Sequence, residues 1–112
     1  MEKKYIIKSY LEYQRVYSNK NSYGNKNLVL YKKKNNLGYS RIGITITKKI
    51  GNAVTRNKIR RRLKEICRNS FNSIEPGYDL VFVVKSNVPS ISFKKLESAF
   101  MHILKISDTL IR

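Results

Sequence analysis

Ile59, Leu63, Ile66 and Cys67, continued by Phe71, recur about every 3.6 positions in a segment whose other side chains are mostly charged or polar (residues 48–68, KKIGNAVTRNKIRRRLKEICR). One apolar stripe can bury only one side of a helix. The segment is therefore predicted to be a surface helix laid on a core that other elements supply. Gly51-Asn52 opens it, with Asn52 as the cap, and Glu75-Pro76-Gly77 closes the region. Val54 is a candidate first member of the stripe.

The supporting elements can be read on either side. Ser9 with Glu12 forms a capping box, starting a short first helix that carries Leu11, Val16 and tyrosines 10, 13 and 17. Residues 19–27 (NKNSYGNKN) are polar and read as a loop. Residues 28–33 (LVLYKK) read as a strand, turned back at residues 35–38. Residues 39–47 (YSRIGITIT) alternate Ile42, Ile44 and Ile46 with Gly43, Thr45 and Thr47, the period of a strand with one buried face. These two strands are expected to pair as an antiparallel hairpin. Residues 78–85 (YDLVFVVK) are nearly all apolar, as in a strand covered on both faces. Ser92 then caps a last helix with an apolar face of Leu96, Ala99, Phe100, Ile103 and Leu104.

The order is α-β-β-α-β-α, with room for one more short strand. It predicts an α+β fold, a small two-layer sandwich of a mixed or antiparallel sheet with helices. At 112 residues the chain makes one domain, residues 1–112.

Charge narrows the function. Of 24 basic residues, nine fall in residues 48–68 against one acid, Glu65, and the net charge is +17. Such an imbalance points first to nucleic acid and second to an anionic membrane surface. No apolar run reaches the ~20 residues of a membrane span. The first residues lack a signal peptide's apolar core, so a cytoplasmic location is expected. With the apolar stripe turned inward, Arg56, Asn57, Lys58, Arg60, Arg61, Arg62 and Lys64 spread over the exposed arc. Lys48 and Lys49 sit just before it. Arginine forks suit phosphate, and the helix N-terminus behind Gly51 offers free N–H groups.

Seven of the eight tyrosines lie in the first 39 residues. Tyr13 and Tyr17 share a helix face, and Tyr31 lies on a strand beside lysines. Stacking on single-stranded bases and ordinary core packing both fit this pattern. His102 is the only histidine, Cys67 the only cysteine, and the seven acids are scattered. No acid–base pair, metal-ligand spacing or glycine-rich nucleotide loop is present. A stand-alone nuclease is disfavoured on this ground.

Residues 41–68 (RIGITITKKIGNAVTRNKIRRRLKEICR) resemble the signature of the bacterial ribonuclease P protein family: a strand ending in Ser/Thr-x-Ser/Thr-Lys-Lys, a Gly-Asn-Ala-Val turn, and an Arg-Asn-Arg helix. Tyr13-Gln14-Arg15-Val16-Tyr17, Leu28-Val29-Leu30-Tyr31 and Gly77-Tyr78-Asp79 extend the resemblance over about residues 9–106. Lys58 stands where the family usually has arginine, tyrosines replace the usual phenylalanines at 13 and 17, and the first residues lack an arginine-rich start.

The resemblance implies a left-handed strand–helix–strand crossover, although chirality alone favours the right-handed form in ~98% of cases. It implies a protein subunit that binds the catalytic RNA of ribonuclease P and the 5′ leader of precursor tRNA, assisting endonucleolytic leader removal. The active site and its magnesium would belong mainly to the RNA. Lys48, Lys49, Asn52, Arg56, Asn57, Lys58, Arg60, Arg61, Arg62 and Lys64 would face the catalytic RNA. Tyr13, Tyr17 and Tyr31 would line the leader site. No catalytic or metal-ligating protein residue and no protein homo-oligomer are expected. The alternative is a general RNA-binding protein, ribosomal or an assembly factor, with no part in cleavage.

Overall fold

The structure is a computed structural model that describes residues 1–111. Its main elements are α1 (Tyr10–Ser18), β1 (Ser22–Gly24), β2 (Leu28–Lys34), β3 (Arg41–Thr45), α2 (Ala53–Ser70), β4 (Tyr78–Val84) and α3 (Phe93–Ile106). Short 3₁₀ turns occupy Lys3–Tyr5, Lys48–Ile50, Phe71–Ser73 and Val88–Ser90. The predicted caps are made: the side chains of Ser9, Asn52 and Ser92 accept the N–H of Glu12, Thr55 and Lys95.

The sheet runs β1-β2-β4-β3. β2 is antiparallel to both neighbours, with Leu30 opposite Phe82, and β3 is parallel to β4, with Ile42 beside Leu80. The expected β2–β3 hairpin is therefore not formed. β4 is apolar on both faces, and a strand of that kind is most stable in the interior of a sheet. It inserts between the two, and α2 provides the crossover from β3 to its parallel neighbour. A second correction concerns residues 19–27, which contain β1. Asn25 builds the turn that returns it: Oδ1 accepts the N–H of Asn27 and Leu28, each at 2.9 Å, and Nδ2 donates to the Ala99 carbonyl at 2.9 Å. β1 is an edge strand with only Tyr23 half-buried, so its polar composition conceals it.

The main core lies between one sheet face and the helices α2 and α3. Leu28, Leu30, Ile42, Leu80, Phe82 and Val84 meet Ile59, Leu63, Ile66 and Cys67 of α2, and the five expected residues of α3. Phe82 stacks on Phe100 at 4.6 Å. Each fully buried aliphatic here contributes on the order of 1.5–3 kcal/mol. Val54, by contrast, is 78% exposed. It lies five residues before Ile59, not three or four, and so falls off the stripe. The opposite sheet face holds a smaller cluster, in which Ile7 and Val16 cover Val81. α1 thus adds a partial third layer to the expected sandwich.

Candidate nucleic-acid interface

α1 is set on the sheet by charge. In the capping box, Glu12 Oε1 accepts the Ser9 N–H at 3.2 Å while Ser9 Oγ accepts the Glu12 N–H at 3.1 Å. Glu12 Oε2 accepts from Arg41 Nη1. Arg41 also grips Asp79 with two donors, Nε to Oδ1 at 2.9 Å and Nη2 to Oδ2 at 2.7 Å. Asn35 Nδ2 adds 2.8 Å to Oδ1. The bond from Arg41, then that from the Ser9 backbone, pulls the Glu12 carboxyl down from 4.5 to about 2. The Arg41 guanidinium is held even more firmly protonated, first by Asp79.

This anchoring presses the tyrosines onto β3. A Cβ at Gly43 would come within 2.8 Å of the Tyr13 ring, so the glycine makes room for it. Tyr13 Oη accepts the Ile44 N–H at 3.3 Å, and the Tyr17 hydroxyl shares a hydrogen bond with Thr45 Oγ1 at 2.6 Å. Tyr17 meets Tyr31 edge-on at 5.0 Å and Tyr13 at 6.4 Å. Burial pushes the Tyr13 phenol above its ordinary value. All three tyrosines are half-buried, so packing and an open ring edge coexist.

α2 rises from Gly51, whose φ of 157° is one that side chains rarely adopt and where a Cβ would press on Thr55 at 3.1 Å. Lys48, Lys49 and Asn52 are exposed at this start. Successive helix residues step by about 100°. With Ile59, Leu63, Ile66 and Cys67 inward, the basic arc divides. Asn57, Arg60, Arg61, Lys64 and Arg68 take the flank toward β3, while Arg56, expected on the exposed arc, falls in line with Leu63 and Cys67 and is half-buried at the start of the helix. Lys58 and Arg62 take the other flank, where Arg62 Nη1 donates to the Ile91 carbonyl at 3.4 Å. Arg56 Nε donates to the Gly51 carbonyl at 3.2 Å. Glu65, the one acid of the segment, is paired with Arg68, Nη2 to Oε1 at 2.5 Å.

Between the first flank and β3 lies a cleft of about 590 Å³. Its floor is apolar (Ile6, Tyr13, Ile42, Ile44, Cys67), and its rim carries Arg60, Arg61, Lys64 and Arg68, with the Arg68-paired Glu65 as the one acid among them. Tyr13 joins the two sets of residues that the sequence singled out. Tyr17 and Tyr31 lie beyond it on the sheet, outside the cleft wall. Burial pushes the Cys67 thiol up to about 12, so it is a packing group and not a nucleophile.

Sequence reasoning missed two features. One is the Glu12–Arg41–Asp79 network, whose signal was an acid inside an otherwise apolar strand. The other is the N-terminal strap. Ile7 N–H donates to the Ile42 carbonyl at 2.9 Å, along the outer edge of β3. Tyr5 lies 5.4 Å from Tyr39 and 4.7 Å from Phe71, with Lys4 Nζ 5.0 Å from its ring. Its signal was the short run Tyr5-Ile6-Ile7.

A cation-rimmed cleft continuous with a cluster of tyrosines in edge-on and tilted contact, on a small α+β scaffold, defines a nucleic-acid-binding protein. The comparisons narrow the class. The family described as Ribonuclease P matches residues 1–107. The ribonuclease P protein component of Clostridioides difficile is 39% identical over 103 residues, 91% of this chain and 90% of that one. That of Finegoldia magna is 40% identical over 107 residues, covering 94% and 92%. Among solved structures, a Staphylococcus aureus RNase P protein mutant, described as having defective mRNA degradation activity, superimposes with a TM-score of 0.91 at 32% identity, covering 97% and 92% of the two chains. The chain belongs to the ribonuclease P protein family.

Proposed function

We propose that this chain acts as the protein subunit of a ribonuclease P ribonucleoprotein, binding the catalytic RNA and the 5′ leader of precursor tRNA so that the RNA hydrolyses the bond between leader and tRNA. The observation that carries the reading is the junction at Tyr13, where a stacking surface runs into the cationic rim of Arg60, Arg61 and Lys64. A single-stranded leader offers bases to Tyr13, Tyr17 and Tyr31, each stacking contact being worth ~1–3 kcal/mol. Its phosphates reach the near flank of α2. Lys48, Lys49, Asn52, Arg56, Asn57, Lys58, Arg60, Arg61, Arg62 and Lys64 hold the catalytic RNA.

Magnesium is assigned to the RNA in this reading. Among the described residues no three His, Cys, Asp or Glu side chains gather in a metal-binding group, and Glu12, Glu65 and Asp79 are engaged by arginines. These residues do not fit a resident ion. The protein's part is to bind, orient and neutralise charge. No helix among the described residues is long and apolar enough to cross a membrane, and the reading locates the complex in the cytoplasm.

The test is reconstitution. Purified protein is mixed with precursor tRNA and magnesium, with and without a ribonuclease P RNA. Stimulated leader removal only when both are present is expected. Cleavage by protein alone would overturn the assignment of the active site to RNA. Binding without any effect on cleavage would leave a general RNA-binding protein.

A further inference from the structure

β2 outruns its edge partner. β1 pairs Ser22–Gly24 with residues 29–31, and the Lys32 N–H still reaches the Asn21 carbonyl at 2.9 Å. Beyond that point Lys33 and Lys34 have β4 on one side and no strand on the other. Backbone donors alternate sides along a strand. The Asn35 N–H turns to the Gly77 carbonyl at 3.0 Å on the β4 side, so the Lys34 N–H points to the open edge. The opening is a notch of about 480 Å³ lined by Asn19, Asn21, Lys32, Lys33, Lys34 and Tyr78, with no carboxylate in its wall.

Its charges are unequally answered. Lys32 is buried, and its Nζ donates to the Ser107 and Asp108 carbonyls at 2.8 and 3.4 Å, with the Tyr78 ring centroid 4.3 Å away. Burial first, and then the neighbouring Lys34 charge, pull its pKa down, while Asp108 opposes them. Lys33 stands opposite Asp79 across the β2–β4 pair. Both Asp79 oxygens, however, are already held by Arg41, and one also by Asn35. Neither Lys33 nor Lys34 has an ion pair among the described residues, and Lys33 Nζ donates only to the Lys34 carbonyl at 3.2 Å. The notch is therefore a concave cationic site with an outward N–H at the bottom edge and an aromatic wall. β4 lies between β2 and β3, so this site and the α2 cleft occupy different margins of the sheet.

We propose that the notch formed by Lys33, Lys34, Tyr78 and the amides of Asn19 and Asn21 is a second RNA-contact site, binding backbone phosphate from a segment of the RNA other than the one held on α2. The proposal rests on the RNA partner inferred above. Asn19 and Asn21 are exposed at the rim, with Asn19 Nδ2 donating to the Lys32 carbonyl at 3.1 Å, and the recess between them and Lys34 admits a phosphate on a protruding RNA strand more readily than a flat anionic membrane. Holding RNA at two margins of the sheet would fix the protein's orientation on a folded RNA, which one helix alone leaves free to pivot.

The experiment measures binding of ribonuclease P RNA over a salt series for the full chain, the double variant Lys33→Gln/Lys34→Gln, and a comparison variant Arg60→Ala/Arg61→Ala. The lysine variant should bind about tenfold more weakly near 0.2 M salt, with the slope of log affinity against log salt reduced by roughly 1–2. Its urea midpoint should match that of the full chain, since Lys34 is exposed and Lys33 half-exposed. If the lysine variant binds like the full chain while the arginine variant weakens, the second site is wrong and the RNA partner stands. If neither weakens, the RNA reading itself fails, and this proposal with it. Lysine-dependent capture by vesicles of anionic phospholipid, with RNA affinity unchanged, would replace RNA by a membrane surface and overturn the proposal.

Discussion

Tyr13 and Tyr17 of α1 are engaged before any ligand arrives. Their hydroxyls are bonded to β3, their rings pack on Gly43 and Tyr31, and α1 itself is tied down through Glu12 and Arg41. On α2 the arrangement is the reverse. Lys58, Arg61 and Lys64 are exposed, and only the apolar stripe behind them is structural. The tyrosine surface is thus preorganised as part of the fold, while within the basic ridge only Arg56 and Arg62 bond to backbone, at the Gly51 and Ile91 carbonyls. Rigid aromatic placement suits bases that must be positioned. Exposed cations suit phosphate, which needs charge more than register.

The contrast can be broken most strongly at its anchor. Asp79→Ala should lower stability by about 3 kcal/mol, because the Arg41 guanidinium loses its bidentate partner in a site where the Asp79 side chain is 8% exposed. Urea unfolding measures this, and a loss under about 1 kcal/mol would mean that the network does not hold α1 in place. Arg60→Ala/Arg61→Ala/Lys64→Ala should do the opposite. Stability should move by less than ~0.5 kcal/mol, while the salt slope of RNA binding falls by about 2–3. A large stability change there would erase the distinction.

Smaller changes separate packing from recognition at one residue. Tyr17→Phe deletes the 2.6 Å bond to Thr45 and should cost about 1 kcal/mol of stability with leader binding kept. Tyr17→Ala should additionally weaken leader-bearing substrate relative to mature tRNA by ~1–3 kcal/mol. Equal loss for both substrates would assign the ring to packing alone. The smallest effect is in pH. The Glu12 carboxyl is depressed from 4.5 to about 2 in the folded chain, so the unfolded chain binds the proton more readily. The stabilisation is therefore present above about pH 4.5 and is lost as pH falls toward 2. Midpoints for the full chain should drop more steeply across that window than those of Glu12→Gln, and parallel curves would show that the pair is too solvated to matter.

Much of the site was legible along the chain because its signals are local. The Asn52 cap, the Ile59–Leu63–Ile66–Cys67 stripe and the surplus of arginine all act within a few helical turns. Asn52, Lys48 and Lys49 lie where that pattern puts them. Val54 falls outside the stripe because five residues separate it from Ile59, an interval that does not keep two side chains on one helix face. β1 was hidden because an edge strand with one half-buried side chain needs no apolar alternation.

The sequence by itself determined the helices, the three longer strands, the buried faces of α2 and α3 and the cationic surplus, since spacing and capping act between near neighbours. Only the tertiary structure decided that β4 separates β2 from β3, that α1 covers the other face of the sheet, and that Arg41 closes on both Glu12 and Asp79. It also divided the basic arc into a flank beside Tyr13 and a flank beside Ile91. Those outcomes depend on which apolar faces find each other across dozens of residues, as when Leu30 meets Phe82. No local period encodes such a pairing. It follows from burying the strand that is apolar on both sides, and the helices then take the faces that remain.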